Sequence, residues 1–178
     1  KSRSRGLGDV YKRQIYYMAR MLEGGEDPMF IARRLVISAS EDVGNADPKA
    51  IGIATSCMQA VHLIGMPEAG ITLAQATTYL ASAPKSNRSY MAYNEAIAEV
   101  KKSGNLEVPL HIRNSRSKLM SDMGYGKGYQ YAHNHEEGVT HHHLPKELEG
   151  KEFYRPLDKH YEKHILAYLD FFRKKRDS

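Results

Sequence analysis

The densest set of metal-ligating side chains in this sequence is His133, His135, His141, His142 and His143, with Glu136 and Glu137 between them. Imidazole is the commonest zinc ligand, and either glutamate is placed to complete a site. The spacing argues against one. A His-x-His pair turns both rings to one side only in extended chain, and three adjacent histidines cannot all reach one ion from a regular backbone. No His-Glu-x-x-His motif and no neighbouring cysteine support the run. It reads as a polar surface loop that picks up metal adventitiously.

Gly124-Tyr125-Gly126-Lys127-Gly128-Tyr129 offers a second chemistry. Alternating glycines can present backbone N–H groups to an anion, with Lys127 adding charge. The run lacks the phosphate-binding pattern GxxxxGK[ST], and no strand precedes it. Tyr125, Tyr129 and Tyr131 beside Lys127 have the composition of a base-stacking surface. The preferred reading is a tight loop whose tyrosines pack back on helices. Glu41-Asp42 is the most tempting acid pair. Adjacent helical residues point about 100° apart, so the two do not face each other as an acid/base couple. With Asn45 and Asp47 they read as turn chemistry around Gly44. Cys57 sits among apolar neighbours and reads as a small core residue. Arg33-Arg34 is placed for phosphate or an acidic partner, against the simpler reading of a solvated helix face. No Ser-His-Asp or Cys-His set has supporting context.

The elements that position these groups read as helices almost throughout. Apolar periodicity begins at Ile15 and continues through Met18, Met21 and Leu22. Gly24-Gly25 stops that helix, and Asp27-Pro28 starts the next by capping and by proline at the first helical position. Gly44 and Asp47-Pro48 repeat the device. Ile51, Ala54, Met58 and Val61 mark the stripe of the third helix, which Gly65 ends. The segment Glu68–Ala83 is apolar on more than one face: Leu73, Ala76 and Leu80 on one, Ile71 and Ala74 on another. Such a helix is buried on several sides. Ser86 or Asn87 caps a helix through Lys102, with Tyr90, Tyr93, Ile97 and Val100 on its stripe. Residues 105–157 read as irregular Gly/Tyr/His-rich chain with one short helix over Ser115–Met123. A last helix spans Asp158–Arg176, with a basic C-terminal turn suited to its dipole.

The chain has 178 residues, 41% hydrophobic and 26% charged, which suits one domain with a real core. A single cysteine excludes an intramolecular disulfide and fits a reducing compartment. No apolar run approaches the roughly 18 residues of a membrane span, so no membrane partner is expected. Of the net charge of +5, residues 1–14 hold +4, with five cations against Asp9. The body is therefore nearly balanced, and net charge gives no support for a uniformly basic nucleic-acid face. Residues 1–14 read as a disordered or non-native leader, similar to translated vector sequence, and residues 15–178 as the helical domain.

The string LEGGEDPMFIARRLVISASEDVGNADPKA from Leu22 closely resembles the C-terminal region of the AAA+ ATPases called replication-associated recombination protein A. These are also called maintenance of genome stability protein A, and are related to the Werner-helicase-interacting ATPase. The resemblance continues through LAQATTYLASAPKSNRSYMAYNEA, VPLHIRNSRSKLMSDMGYGKGYQYAH and LPKELEGKEFYRP. Collinear blocks are far more specific than one motif. The resemblance implies an all-α, compact multi-helix domain like the collar of clamp loaders, assembling a homotetramer. It implies a parent that acts at replication forks in recombination and repair, in the cytoplasm with the nucleoid. Self, DNA through the full-length assembly, and replication-fork proteins are the implied partners. ATP and Mg²⁺ belong to the parent's upstream ATPase domain; here no cofactor, metal or catalytic residue is expected, and the fragment is not itself an enzyme. The family has a helical stretch just before the position of Ile15, where this chain carries its leader. His141-His142-His143 also replaces a stretch containing glutamine and hydrophobes.

The first expectation is thus an oligomerisation scaffold. The rival is a nucleic-acid-binding helical module that uses Arg33, Arg34, Lys118 and Lys127 with the Gly-Tyr loop. The third is a stand-alone metal-dependent enzyme built on the histidine run.

Overall fold

A computed structural model describes residues 7–129 and 143–176, with side chains from 12–129 and 143–174. Among these residues there are seven α-helices and no strand, so the all-α expectation holds. The chain forms two compact units. One comprises Lys1–Ala92 with Tyr154–Ile165, and the other Tyr93–Phe153 with Leu166–Ser178.

In the first unit, α1 (Leu7–Glu23), α2 (Pro28–Ser38), α3 (Lys49–Ile64) and α4 (Ala69–Ser82) make the core. α1 begins eight residues before Ile15, so residues 7–14 are helical rather than tail. The Asp-Pro starts work as expected. Asp27 accepts hydrogen bonds from the N–H groups of Met29 (2.9 Å) and Phe30 (3.1 Å), and Pro28 opens α2. Asp47 accepts from the Lys49 N–H at 3.1 Å ahead of α3.

α4 packs against α1, α2 and α3, which accounts for its multi-faced apolar pattern. Its buried face is Ala69, Leu73, Ala76, Thr77 and Leu80. On α3 the buried stripe is Ala50, Ala54, Cys57 and Val61: Ala54 and Val61 are as expected, while Ala50 and Cys57 stand in place of Ile51 and Met58, and Ile51 is exposed. The exchange follows from size: alanines let α3 approach α2 and α4 closely, and the larger Ile51 lies outside that contact. Two apolar clusters result. Met18, Ile31, Cys57, Val61 and Leu73 belong to one; Ala39, Val43, Ala54 and Leu80 belong to the other.

α2 does not simply stop at Gly44. It passes into one π-helical turn, Ala39–Val43, closed by the Gly44 N–H on the Ala39 carbonyl, and then a 3-10 turn, Gly44–Ala46. Gly44 has φ +50° and ψ −137°. The Ser86 backbone lies against it, and the Ser86 N–H donates to the Asp42 carbonyl at 2.8 Å. The same corner receives Glu162, which is fully buried. Its carboxylate accepts from the Ser86 hydroxyl (2.9 Å), the Leu157 N–H (3.0 Å) and the Tyr154 hydroxyl (3.0 Å). Asn45 donates to the Tyr154 oxygen at 3.0 Å. Burial raises the Tyr154 phenol above its ordinary range; Asn45 pulls it down and Glu162 pushes it up. Four uncharged groups thus converge, directly or through Tyr154, on one carboxylate, which satisfies each of them in a dry place.

α5 (Arg88–Ser103) starts where Ser86 accepts from the Arg88 N–H at 3.3 Å. None of its residues is buried, and its expected stripe, Tyr90, Tyr93, Ile97 and Val100, is exposed. In the second unit α6 (Lys118–Asp122) is a short helix capped by Ser117, within otherwise irregular chain as expected. No described residue of that unit is fully buried. Polar contacts tie it instead: Lys151 with Glu99, and Arg173 with Glu152 (2.8 Å) and Asp170 (2.9 Å). Lys151 holds the Glu99 carboxyl below the usual carboxylate range, against a smaller opposing effect of burial. α7 (Glu162–Arg176) begins four residues later than the expected Asp158. His160, with φ +52°, lies just before it and marks the turn that delivers Glu162.

Candidate interaction surfaces

The expected cations divide between the units: Arg33 and Arg34 lie on α2, Lys118 and Lys127 in the second unit. Arg33 reaches back to Asp27 at 3.3 Å, with both side chains about half exposed. A surface pair of this kind contributes roughly 0–1 kcal/mol and mainly steadies the cap. Arg34 is exposed and makes no hydrogen bond or ion pair among the described residues. It borders a groove of about 340 Å³ between α1, α2 and α4. Lys85 also lines the groove and donates to the Leu80 carbonyl at the end of α4. Burial lowers the Lys85 pKa, and nearby Asp42 partly restores it.

Lys118 opens α6 and Lys127 sits in the glycine run; both are exposed without an ion pair among the described residues. The glycine alternation has a backbone cause, since Gly124, Gly126 and Gly128 all adopt positive φ. Two of these amides are already engaged: Gly124 donates to Ser121 and Gly126 to Leu110 (2.8 Å), and the Lys127 N–H donates to Gly124 (3.2 Å). Tyr125 lies against the Arg113 guanidinium, 5.2 Å from ring centroid to cation, with its hydroxyl 3.3 Å from Nη1. Arg113 also donates to Glu107 at 2.8 Å and to the Val108 carbonyl. Hydrogen bonds to Glu107, then Tyr125, hold the guanidinium pKa above its ordinary value. Arg113 therefore organises this loop, a role that sequence reading missed because its partners lie six and twelve residues away with no periodic pattern. Tyr129 is exposed; Tyr131 lies outside the described residues.

Of the Glu41-Asp42 pair, Asp42 takes part in the turn. Asp42 accepts from the Ser38 hydroxyl at 2.6 Å, and Asp47 accepts from the Tyr79 hydroxyl at 2.6 Å. The Asp47 hydrogen bond, burial and charge together raise the Tyr79 pKa. Of the histidine run, His133, His135, His141 and His142 lie outside the described residues. His143 is 3.3 Å from His111, a pairing the sequence did not suggest. No group of three or more metal-ligating side chains occurs among the described residues.

Cys57 is the core residue expected, 4% exposed, with its sulfur 3.5 Å from the Thr72 carbonyl. Burial raises its thiol pKa, so little thiolate forms near neutral pH. A disulfide reagent added to the native chain should modify it at least about a hundredfold more slowly than in denaturant. Equal rates in the two states would contradict this placement.

The excess apolar surface expected of Glu68–Ala83 concentrates at its first turns. Ile71 is 75% exposed, and Leu63, at the end of α3, is 81% exposed. Ile64 and Met66 are exposed between them. These four large side chains crowd nine consecutive positions around the α3–α4 turn. The signal was present in the sequence as Leu63-Ile64-Gly65-Met66, apolar residues at a helix end where polar ones are usual.

Among known proteins, the family model described as MgsA AAA+ ATPase C terminal matches residues 12–173. The Replication-associated recombination protein A of Coxiella burnetii is 43% identical over 162 residues, covering 90% of this chain and 37% of that protein. The protein of the same name from Escherichia coli K12 is 39% identical over 160 residues, 87% of this chain and 36% of its own length. The ATPase WRNIP1 of Dictyostelium discoideum is 41% identical over 141 residues, 78% of this chain and 16% of that protein. The chain thus spans little more than a third of these bacterial relatives. No described helix is long and apolar enough to cross a membrane.

Proposed function

This chain belongs to the family of MgsA AAA+ ATPase C-terminal domains, and from that premise we propose that it is a homotetramerisation domain. In this reading it joins ATPase modules of a longer parent that acts in replication-associated recombination, as the names of its relatives state for them. The shape we propose is collar-like. ATP and Mg²⁺ are bound elsewhere in the parent, which works in the cytoplasm beside the nucleoid. DNA is reached through the assembly, to which Lys118 and Lys127 offer exposed charge, and fork proteins are further partners. The residues of this chain take no catalytic part.

One observation carries the assembly reading: the exposed cluster of Leu63, Ile64, Met66 and Ile71. Large apolar side chains grouped on a surface mark an interaction site. Each contributes roughly 1.5–3 kcal/mol when a partner removes it from water. Closed symmetry then lets one patch serve every copy.

Sedimentation equilibrium at ~1–50 μM, read against association arithmetic, should give a species of four times the 20.2 kDa chain mass. The pair Leu63→Asp and Ile71→Asp should shift it to smaller species while helical circular dichroism is unchanged, because neither side chain is in the core. A wild-type chain that stays monomeric across that range, also when extended at its N-terminus, overturns the reading.

A further inference from the structure

We propose that His111 and His143 form a clip for a divalent transition-metal ion of the zinc class, which staples the second unit of the chain. The pair joins stretches 32 residues apart. His111 lies in the 3-10 turn Leu110–Ile112, and His143 stands just before the turn Lys146–Leu148. Nε2 of His111 is 3.3 Å from Nδ1 of His143. Two imidazole nitrogens bound to one tetrahedral ion at ~2.0–2.1 Å stand about 3.3–3.4 Å apart, so the spacing already suits a shared ion. The ring centroids, 5.6 Å apart, set the nitrogens nearly head-on. His143 is exposed, and a modest turn of each ring brings both lone pairs to one point.

The second unit is the kind of structure that such an ion holds together. None of its described residues is fully buried. Small folds without a sufficient core are commonly held by disulfides or a metal, and the chain's one cysteine, Cys57, belongs to the other unit. The His111 turn is fixed in advance: the N–H groups of Gly126 (2.8 Å) and Arg113 (3.2 Å) both donate to the Leu110 carbonyl. One ligand is thus placed by the backbone, and the other closes on it. The groove beside His111 carries Glu107, Glu147 and Glu149 against Arg113, Lys127 and Lys146. Those charges balance, so selection rests on the imidazoles and favours ions that prefer nitrogen. Water fills the remaining positions, in keeping with the absence of a three-ligand group among the described residues. The inference is independent of the assembly reading, since both histidines lie outside the Leu63–Ile71 cluster.

The test is equilibrium dialysis of the chelator-treated whole chain against Zn²⁺, paired with amide hydrogen exchange. The chain carries His133→Ser, His135→Ser, His141→Ser and His142→Ser, which removes the rest of the histidine run. One zinc per chain is expected. With zinc at about ten times half-saturation, exchange of the hydrogen-bonded Ile112 and Leu148 amides should slow about tenfold. His111→Ala should weaken zinc binding by at least about tenfold and abolish the slowing, with an unchanged melting curve in metal-free buffer. His143→Ala, at an exposed position, should do the same and guards against a folding defect in the first variant. The proposal is overturned if the fourfold serine chain takes up no stoichiometric zinc, which assigns the metal to the histidine run. Zinc binding that ignores both alanine variants, or that leaves the two amides exchanging at the same rate, also overturns it.

Discussion

Gly44→Ala is expected to destabilise the chain by about 3–4 kcal/mol and to lower its melting temperature by roughly 10 °C. Two costs add. The first is conformational: φ +50° with ψ −137° is a corner of backbone space that glycine occupies and side chains resist. The second is steric. A Cβ at Gly44 would stand 2.9 Å from the Ser86 carbonyl oxygen, and that atom is backbone, so it cannot swing aside. Moving it also disturbs the Ser86 N–H bond to Asp42. Gly65 separates the two costs. Its φ is +73°, but nothing lies within 4 Å of an added Cβ. Gly65→Ala should therefore show the conformational cost alone, about 1–3 kcal/mol. Thermal melts of the two variants check the account, and equal losses would show that the close approach at Ser86 is not as described.

Glu162→Ala should cost about 3–5 kcal/mol, read as a fall in the urea midpoint at unchanged slope. The carboxylate is the shared acceptor for the Ser86 hydroxyl, the Tyr154 hydroxyl and the Leu157 N–H. Truncation leaves all three donors facing a void, and a buried unsatisfied donor costs roughly 1–3 kcal/mol. Water entering the void lowers the total below the sum. Glu162→Gln keeps the volume and one acceptor but points an amide N–H₂ at a donor, so about 1–3 kcal/mol is expected. Ser86→Ala removes one bond and should cost about 1 kcal/mol. The order Ala, Gln, then Ser86→Ala is the signature of a converging acceptor. A Glu162→Ala variant within about 1 kcal/mol of wild type would show that the carboxylate organises nothing.

Much of the fold was legible because it rests on local rules. Asp27-Pro28 and Asp47-Pro48 start helices through bonds no more than three residues long, and Gly24, Gly65 and Gly104 end them by the same short-range logic. The multi-sided pattern of α4 likewise foretold its contacts with three other helices. What could not be read depended on partners far apart in sequence. Glu162 has no motif or apolar spacing to mark it, and its burial depends on Ser86, 76 residues earlier, together with Tyr154 and Leu157. The exchange of Ile51 for Ala50 on the buried face of α3 has a similar cause: periodicity favours Ile51, whereas close packing favours the alanine beside it. Of the site residues, Arg34 was picked out for its charge, but its setting beside an apolar groove needed α1 and α4 in place. Arg113 carried no motif at all.

The first unit is assembled from two stretches of chain, Lys1–Ala92 and Tyr154–Ile165. This sets an order on biosynthesis. At ribosomal speeds of ~5–20 residues per second, Ser86 emerges on the order of 4–15 seconds before Glu162. Until then the hydroxyl of Ser86 and the amide of Asn45 wait for acceptors that have not been made. The nascent four-helix core is thus a provisional structure, and translation of the last helix is the step that completes it.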